Sequence, residues 1–571
     1  MRKQMVVRVR IITGVVLMLA LFLVLRLYNL QITQSEAYLE KADRQYVYTK
    51  QDLYSRGSIF FTTKDGEKVS AASIGSGYLL AFNPSQIVDS GDACNKLETF
   101  LSISKDECKR KATLEGRTYV EIETTLTEEQ MEQISDLHIT GVYLYRNQWR
   151  YYPANDLLAK TIGFIGYTDE DDKLRGKYGL ERYYDEILFQ ENQVRSVNFF
   201  AEIFTNLGDL VYKKDEEEDG DIVTTIEPTV ARMLDNILRE TNEKYDSKMT
   251  GAIIMNPQNG EIYAMDTVPG FNLNNRAEAT VEDFRNPLVE DVYEFGSTIK
   301  ALTMAAGLDS GAVTPHSTYD DKGFVTLDKF TIRNFDGRGR GVVDMQEVLN
   351  QSLNTGVSHV VKQMGKDKFR DYFLSFKLGG ETGIDQPNEI YGLVENLNSP
   401  RDVEYATASF GQGIALTPIA VTRALAILGN GGHLVTPHIA SSVQYKDGTV
   451  REIRYPQGKQ VISKETSEEI SRMLTIVVDE ALAYGEYSMP NHTIGAKTGT
   501  AQIANPNGKG YYEDRFLHSF FGYFPAFDPK FIVFMYTVEP KGVSYASQTL
   551  TEPFMNITKF LINYYNVPPD R

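Results

Sequence analysis

A helix that is apolar on every face cannot sit at a surface. The segment EFGSTIKALTMAAGL, Glu294 to Leu308, reads that way, so the chain has to build layers of structure around it. Its polar head is the exception. Ser297 and Lys300 stand three apart, a spacing that places both on one helical face. A lysine carried into an interior needs a partner or must lose its charge. An amine held neutral by burial or by a nearby cation can take the proton of a serine hydroxyl as it attacks a carbonyl. The head of a helix adds free backbone N–H groups and the positive end of its dipole, both suited to developing negative charge.

At 571 residues the chain exceeds one core and predicts about three or four units. The net charge of −18 argues against nonspecific nucleic-acid binding, which needs clustered Lys and Arg. The leader MRKQMVVRVR carries Arg2, Lys3, Arg8 and Arg10 and is followed by the apolar run Ile11 to Leu25, which Arg26 and the segment to Ile32 extend. With no A-x-A-like cleavage site after it, the run reads as a retained single-pass anchor rather than a cleaved signal. The basic leader then stays in the cytoplasm and the rest of the chain is extracytoplasmic, at the cell membrane. Cys94 and Cys108 both fall in that exported part, where a disulfide is permitted. Two unpaired or buried thiols fit the sequence equally well.

The predicted organisation is a leader over 1–10, a transmembrane anchor over 11–30, a β-rich pedestal over 31–220 and a second globular part over 221–571. In the pedestal, Thr127 followed by Glu128, Glu129 and Gln130 predicts a capped helix start. The charge block KKDEEEDGD, Lys213 to Asp221, marks the boundary as a solvated loop. Beyond it, DIVTTIEPTVARMLDNILRETNEKY predicts a strand entering an amphipathic helix, and TGAIIMNPQNGEIYAM two strands joined by a turn at Asn256 to Gly260. Helices dominate to about 435, then strands return in HTIGAKTGTAQIA, HSFFGYFPAF and KFIVFMYTV before a last helix, Glu552 to Tyr565. Strands at both ends of a helical middle predict an α+β class: one antiparallel sheet with helices on its faces.

Alone, S-x-x-K is weak. Ser102 to Lys105 is a second copy in a polar stretch with a purely structural reading, and S-x-N occurs at Ser196 to Asn198 as well as at Ser352 to Asn354. Three motifs in order carry more: Ser297-Thr298-Ile299-Lys300, then Ser352-Leu353-Asn354 in NQSLNTGVSHV, then Lys497-Thr498-Gly499-Thr500 in a strand-like segment. With period two, Thr498 and Thr500 share a strand face and can offer hydroxyls to a carboxylate, while Gly499 allows a peptide backbone close by.

This set resembles the serine penicillin-recognising transpeptidases, with S-x-N for S-D-N. The resemblance spans roughly 221 to 560 and takes in GAIIMNPQNGEIYAM, SFGQGIALTPIAVTRALAILGNGG and SFFGYFPAFDPKFIVFMYTVEP. Weaker matches, SRGSIF at Arg56 and Gly57, RYYP at Arg150 to Pro153 and YGLERYYD at Gly179 and Glu181, are similar to class B, monofunctional penicillin-binding proteins, with the septal branch favoured. Phe295 departs from the proline usual before the Gly-Ser, and Phe61 from a common acidic residue.

The resemblance implies a penicillin-sensitive D-Ala-D-Ala transpeptidase acting in cell division, with the pedestal structural. Ser297 is then the nucleophile and Lys300 the acylation base. Ser352 relays a proton, and Asn354 contacts the substrate amide and helps hold Lys300. Lys497 supplies positive potential, Thr498, Gly499 and Thr500 bind substrate, and the N–H groups of Ser297 and Thr500 form the oxyanion hole. Implied partners are peptidoglycan stem peptides, the lipid-linked precursor, β-lactam antibiotics, a SEDS-type glycan polymerase and other membrane division or elongation proteins. A β-lactam sensor or β-lactamase, and an idle divisome scaffold, are the rival readings. No metal or cofactor is expected, since the closest histidines, His433 and His438, are off ligand spacing. GRGRG, Gly337 to Gly341, matches no phosphate-binding loop and is expected to be a flexible loop by the groove.

Overall fold

The computed structural model describes Met18 and residues 56–168, 174–189, 219–456, 458–505, 508 and 510–571. The expected leader and the anchor, Met18 apart, lie outside the described residues, as do Ser196 to Asn198 and all but the end of the charge block. Among the described residues no helix is long and apolar enough to cross a membrane.

Two compact units are present. Of the described residues, one unit comprises 75–149 and the other 56–74 with those from 150 on. In the smaller, the second half of the strand Lys68–Phe82 pairs antiparallel with Val120–Leu126. The expected capping box closes as predicted: Thr127 Oγ1 accepts the Gln130 N–H, and Gln130 Oε1 accepts the Thr127 N–H, at the start of the helix Glu128–Asp136. Cys94, on the helix Ser90–Leu97, is disulfide-bonded to Cys108, on Lys105–Ala112, within a core of Leu80, Phe82, Leu97 and Ile122.

The larger unit takes in both flanks of the expected pedestal. Its strand Ile59–Thr62 pairs antiparallel with the start of Lys68–Phe82 and parallel with Gly220–Thr224, which continues to Ala440–Tyr445 and Val450–Glu452. Packing therefore groups 56–74 and the described residues that follow Arg150 with those beyond 220, whereas the charge block suggested a division near 220. Arg56, Arg150 and Glu181, drawn from three separate segments, meet in one buried ion cluster. Arg56 Nε lies 2.7 Å from Glu181 Oε2, Arg150 Nε lies 2.6 Å from Oε1, and Asp185 Oδ1 takes Arg56 Nη1 at 2.7 Å. Phe61 is buried in the adjoining apolar core, which has no place for an acidic group.

The central sheet has five strands in the order Gly495–Ala504, Tyr511–Phe524, Phe531–Val538, Met249–Met255, Ile262–Val268, antiparallel throughout. Every residue of Phe531–Val538 is buried, which is why that strand is an unbroken apolar run rather than an alternating one. On one face lies the last helix, Thr551–Tyr564, with Phe554 stacked on Phe520 and closing over Gly522. On the other lie Lys464–Ile476, where Ser471 Oγ meets Tyr523 OH at 2.9 Å, and the apolar helix of the opening motif. That helix runs Lys300–Asp309, with Lys300 to Gly307 all buried. Gly307 lets it approach Asn354–Met364, since a Cβ there would stand 2.5 Å from Val360.

Candidate active site

Ser297 lies in a 3-10 turn, Gly296–Ile299, that leads directly into Lys300–Asp309. Three glycines press the turn against its neighbours. Gly296, at φ +64°, faces the Thr500 carbonyl; Gly411 faces Gly296; and Gly499 faces the Phe295 carbonyl, each so closely that a Cβ would lie 2.4 to 2.6 Å from a backbone oxygen. The space where a Cβ of Gly499 would stand is thus taken by the chain's own Phe295 carbonyl. Ser519 Oγ donates to that carbonyl at 2.7 Å. Phe295, in place of proline, lies edge-on to Phe534 at 5.0 Å between ring centroids and fills the core beneath the turn.

Lys300 is fully buried. Its Nζ donates to the Ser352 carbonyl at 2.5 Å and meets Ser352 Oγ at 3.1 Å. Both bonds go to Ser352, whereas the spacing alone suggested Ser297 Oγ. Burial, and then the Lys497 cation, hold the Lys300 amine well below the usual lysine range. Ser352 has φ +52°, in the left-handed region that a non-glycine residue enters only where surroundings impose it.

Asn354 opens the helix Asn354–Met364, and its Nδ2 donates to the Arg333 carbonyl at 2.8 Å. Its Nδ2 is used by the neighbouring strand Phe330–Arg333, and the hydrogen bonds of the Lys300 amine go to Ser352.

The strand Gly495–Ala504 is the edge of the central sheet, so its outer side is free of a strand partner among the described residues. Lys497, Gly499 and Ala501 are buried, while Thr498, Thr500 and Gln502 are partly exposed, the predicted alternation. Burial lowers the Lys497 amine to about 8, so it is still mostly a cation near neutral pH. Thr500 Oγ1 accepts the Ala546 N–H at 3.1 Å, leaving its own O–H to donate elsewhere.

Sequence reading missed Gly411, Ser519, Phe335 and Tyr545. The rings of Phe335 and Tyr545 meet edge-to-face at 5.8 Å, although one follows the strand that holds Asn354 and the other precedes the residue bound to Thr500. Nothing in their local sequence marks that contact. The decoy S-x-x-K is harmless: Ser102 Oγ donates to Glu123 Oε2 at 2.6 Å on an exposed surface.

Known proteins match this chain throughout. A family model described as the penicillin binding protein transpeptidase domain matches residues 250–559, and the penicillin-binding protein dimerisation domain matches 55–225. The Stage V sporulation protein D of Bacillus subtilis (strain 168) is 32% identical over 481 residues, 83% of this chain and 72% of the relative. The peptidoglycan D,D-transpeptidase FtsI of Buchnera aphidicola subsp. Baizongia pistaciae is 25% identical over 575 residues, 99% of this chain and 96% of the relative. Among solved structures, penicillin binding protein 2X from Streptococcus thermophilus has a TM-score of 0.68 at 22% identity, covering 89% of this chain and 79% of that one. Penicillin binding protein 3 from Mycobacterium tuberculosis complexed with aztreonam has 0.68 at 20%, covering 91% and 98%. The three ordered motifs and the domain matches lead to one conclusion: the chain belongs to the class B penicillin-binding proteins, the peptidoglycan D,D-transpeptidases that carry a dimerisation domain ahead of the transpeptidase domain.

Proposed function

We propose that Ser297 attacks the penultimate D-Ala carbonyl of a D-Ala-D-Ala stem peptide and that Lys300 accepts its proton. The oxyanion forms against the N–H groups of Ser297 and Thr500, where loss of one such donor is expected to slow the reaction by on the order of a hundredfold. Ser352 returns the proton from Lys300 to the departing D-alanine nitrogen, leaving an acyl ester on Ser297. Lys497, Thr498 and Thr500 hold the terminal carboxylate, Asn354 Oδ1 takes the substrate amide N–H, and the donor peptide lies along the free edge of Gly495–Ala504. The amine of a second stem peptide then attacks the ester, forming the cross-link and freeing the serine. The observation that carries this reading is the Lys300 amine, three residues after Ser297, buried, bonded to Ser352 and held well below the usual lysine range by burial and the Lys497 cation.

In this reading the domains run 1–10, 11–30, 31–220 and 221–571, with the N-terminus cytoplasmic and the catalytic part outside the membrane. The enzyme cross-links strands made from the lipid-linked precursor beside a SEDS-type glycan polymerase during division; relatives named for FtsI support the septal branch. Mass spectrometry after exposure to fluorescent penicillin tests the chemistry. A long-lived adduct on Ser297, absent from Ser297→Ala, is expected. Rapid turnover of the adduct would indicate a β-lactamase, and an unchanged adduct in Ser297→Ala would remove the nucleophile assignment.

A further inference from the structure

We propose that Asp321 is a positioning residue for transpeptidation: its buried carboxylate ties the GRGRG segment and the strand Phe330–Arg333 to the Ser352–Asn354 motif. The inference rests on the reading of Ser297, Lys300, Ser352 and Asn354 given above.

Asp321, Asn334 and Thr355 are 2, 3 and 6% exposed. Around the carboxylate stand donors from four segments. The Gly323 N–H reaches Oδ1 at 3.0 Å and the Arg340 N–H reaches Oδ2 at 3.1 Å; Asn334 Nδ2 lies 3.1 and 2.9 Å from the two oxygens; Thr355 Oγ1 lies 2.8 Å from Oδ1. Asn334 Nδ2 also reaches the Arg338 carbonyl at 3.2 Å, and its Oδ1 accepts the Thr355 N–H at 3.2 Å. Arg333, the residue before Asn334, gives its carbonyl to Asn354, the residue before Thr355. One carboxylate thus fixes the two backbones that meet at Asn354, and through Leu353 the left-handed Ser352 that holds Lys300.

The same contacts explain GRGRG. Gly339 lies on the backbone of Asp321 to Gly323, where a Cβ would stand 2.6 Å from the Asp321 carbonyl oxygen, and Gly323, at φ +82°, lies as close to Arg338 and Gly339. Arg340 pairs with Asp336 at 2.8 Å. The segment expected to be a flexible loop is instead two crossed backbones pinned to a carboxylate.

The arrangement needs an acceptor. Every group facing Asp321 can donate, and a carboxylate accepts through both oxygens. An asparagine of the same shape would turn an NH2 against N–H donors and leave buried polar groups unpaired. The experiment uses the full chain in detergent with fluorescent penicillin as probe, following the rate of adduct formation on Ser297 alongside thermal unfolding. Asp321→Asn is expected to stay folded at the assay temperature and to be acylated more slowly by on the order of a hundredfold, as for a small misplacement of reacting groups. Asp321→Glu keeps two acceptor oxygens among the same donors and is expected to lose less of that rate than Asp321→Asn. Acylation of Asp321→Asn at the parent's rate, or an equal loss in Asp321→Glu, overturns the proposal. An adduct persisting in Ser297→Ala would instead strike the catalytic reading, so the two failures are distinguishable.

Discussion

Lys300 Nζ stands 2.5 Å from the Ser352 carbonyl and 3.1 Å from its hydroxyl, so the two groups proposed as proton acceptor and proton relay are in contact. The pH dependence of acylation follows. In this reading Lys300 works as the neutral amine, and burial with the Lys497 cation holds it well below the usual lysine range, so the acid limb of the rate profile lies well below an ordinary lysine's. Lys497 must be charged to hold a carboxylate, and burial brings it to about 8, so the rate falls as pH passes that value. Second-order acylation rates by a β-lactam across pH should trace this bell. A rate still climbing well beyond the Lys497 value would show that its charge is not needed.

Lys497→Met should separate stability from activity. The folded amine titrates at about 8 against an ordinary 10.5, so the unfolded chain binds more protons between those values and stability rises with pH across them. Near neutral pH, keeping this buried amine charged costs up to about 3 kcal/mol. The methionine variant is expected to resist denaturant better at neutral pH and to gain less stability toward about pH 10, while acylation falls steeply. Its residual activity should need higher pH, because Lys300 loses the neighbouring cation. Unchanged denaturation midpoints at neutral pH would contradict the burial argument.

Gly499→Ala puts a methyl 2.5 Å from the Phe295 carbonyl oxygen and 2.4 Å from Ser519 Oγ. The hydroxyl can rotate away; the carbonyl belongs to the turn that carries Ser297 and can move only with it. Overpacking of this kind destabilises by about 1 to 3 kcal/mol, and the displaced nucleophile is expected to slow acylation by on the order of a hundredfold. Ser519→Ala, which removes one hydrogen bond without a clash, should cost about 1 kcal/mol and retain most of the rate. Equal rates in both variants would mean that Gly499 is not kept for the approach of Phe295.

What was legible in the sequence were features with a local period or a local partner. The all-round apolar pattern after Ser297 told that the helix is buried, Thr127 and Gln130 told of their own capping, and alternation placed Thr498 and Thr500 on one face of a strand. The motif order also told which segments share a site. Illegible was everything set by which backbone crosses which. That Asn354 spends its amide on Arg333, that Gly499 makes room for Phe295, and that GRGRG is pinned by Asp321 all depend on packing between segments with no common local pattern. The bond between Cys94 and Cys108 was open for the same reason, since pairing needs two helices brought together.

Glu181 marks the same limit in another place and supports the last prediction. Arg56 and Glu181 are 125 positions apart, yet both are buried and joined at 2.7 Å, with Arg150 on the second carboxylate oxygen. Burial works to raise the Glu181 carboxyl, but Arg150 and Arg56 more than offset it and leave it below its ordinary value. A carboxyl depressed in this way contributes stability above its unfolded value and loses it as pH falls through the folded one. Glu181→Gln would leave the buried Arg150 guanidinium without its counter-charge and Arg56 with Asp185 alone, a loss expected at about 3 to 5 kcal/mol. Denaturant unfolding at neutral pH should show that drop, and acidification should then destabilise the variant less than the parent. Exchanging Arg150 for methionine together with Glu181 for leucine, which leaves Arg56 its pairing with Asp185, should be milder than Glu181→Gln, because fewer buried charges are stranded. If Glu181→Gln unfolds at the parent's midpoint, the cluster is not what holds these three segments together.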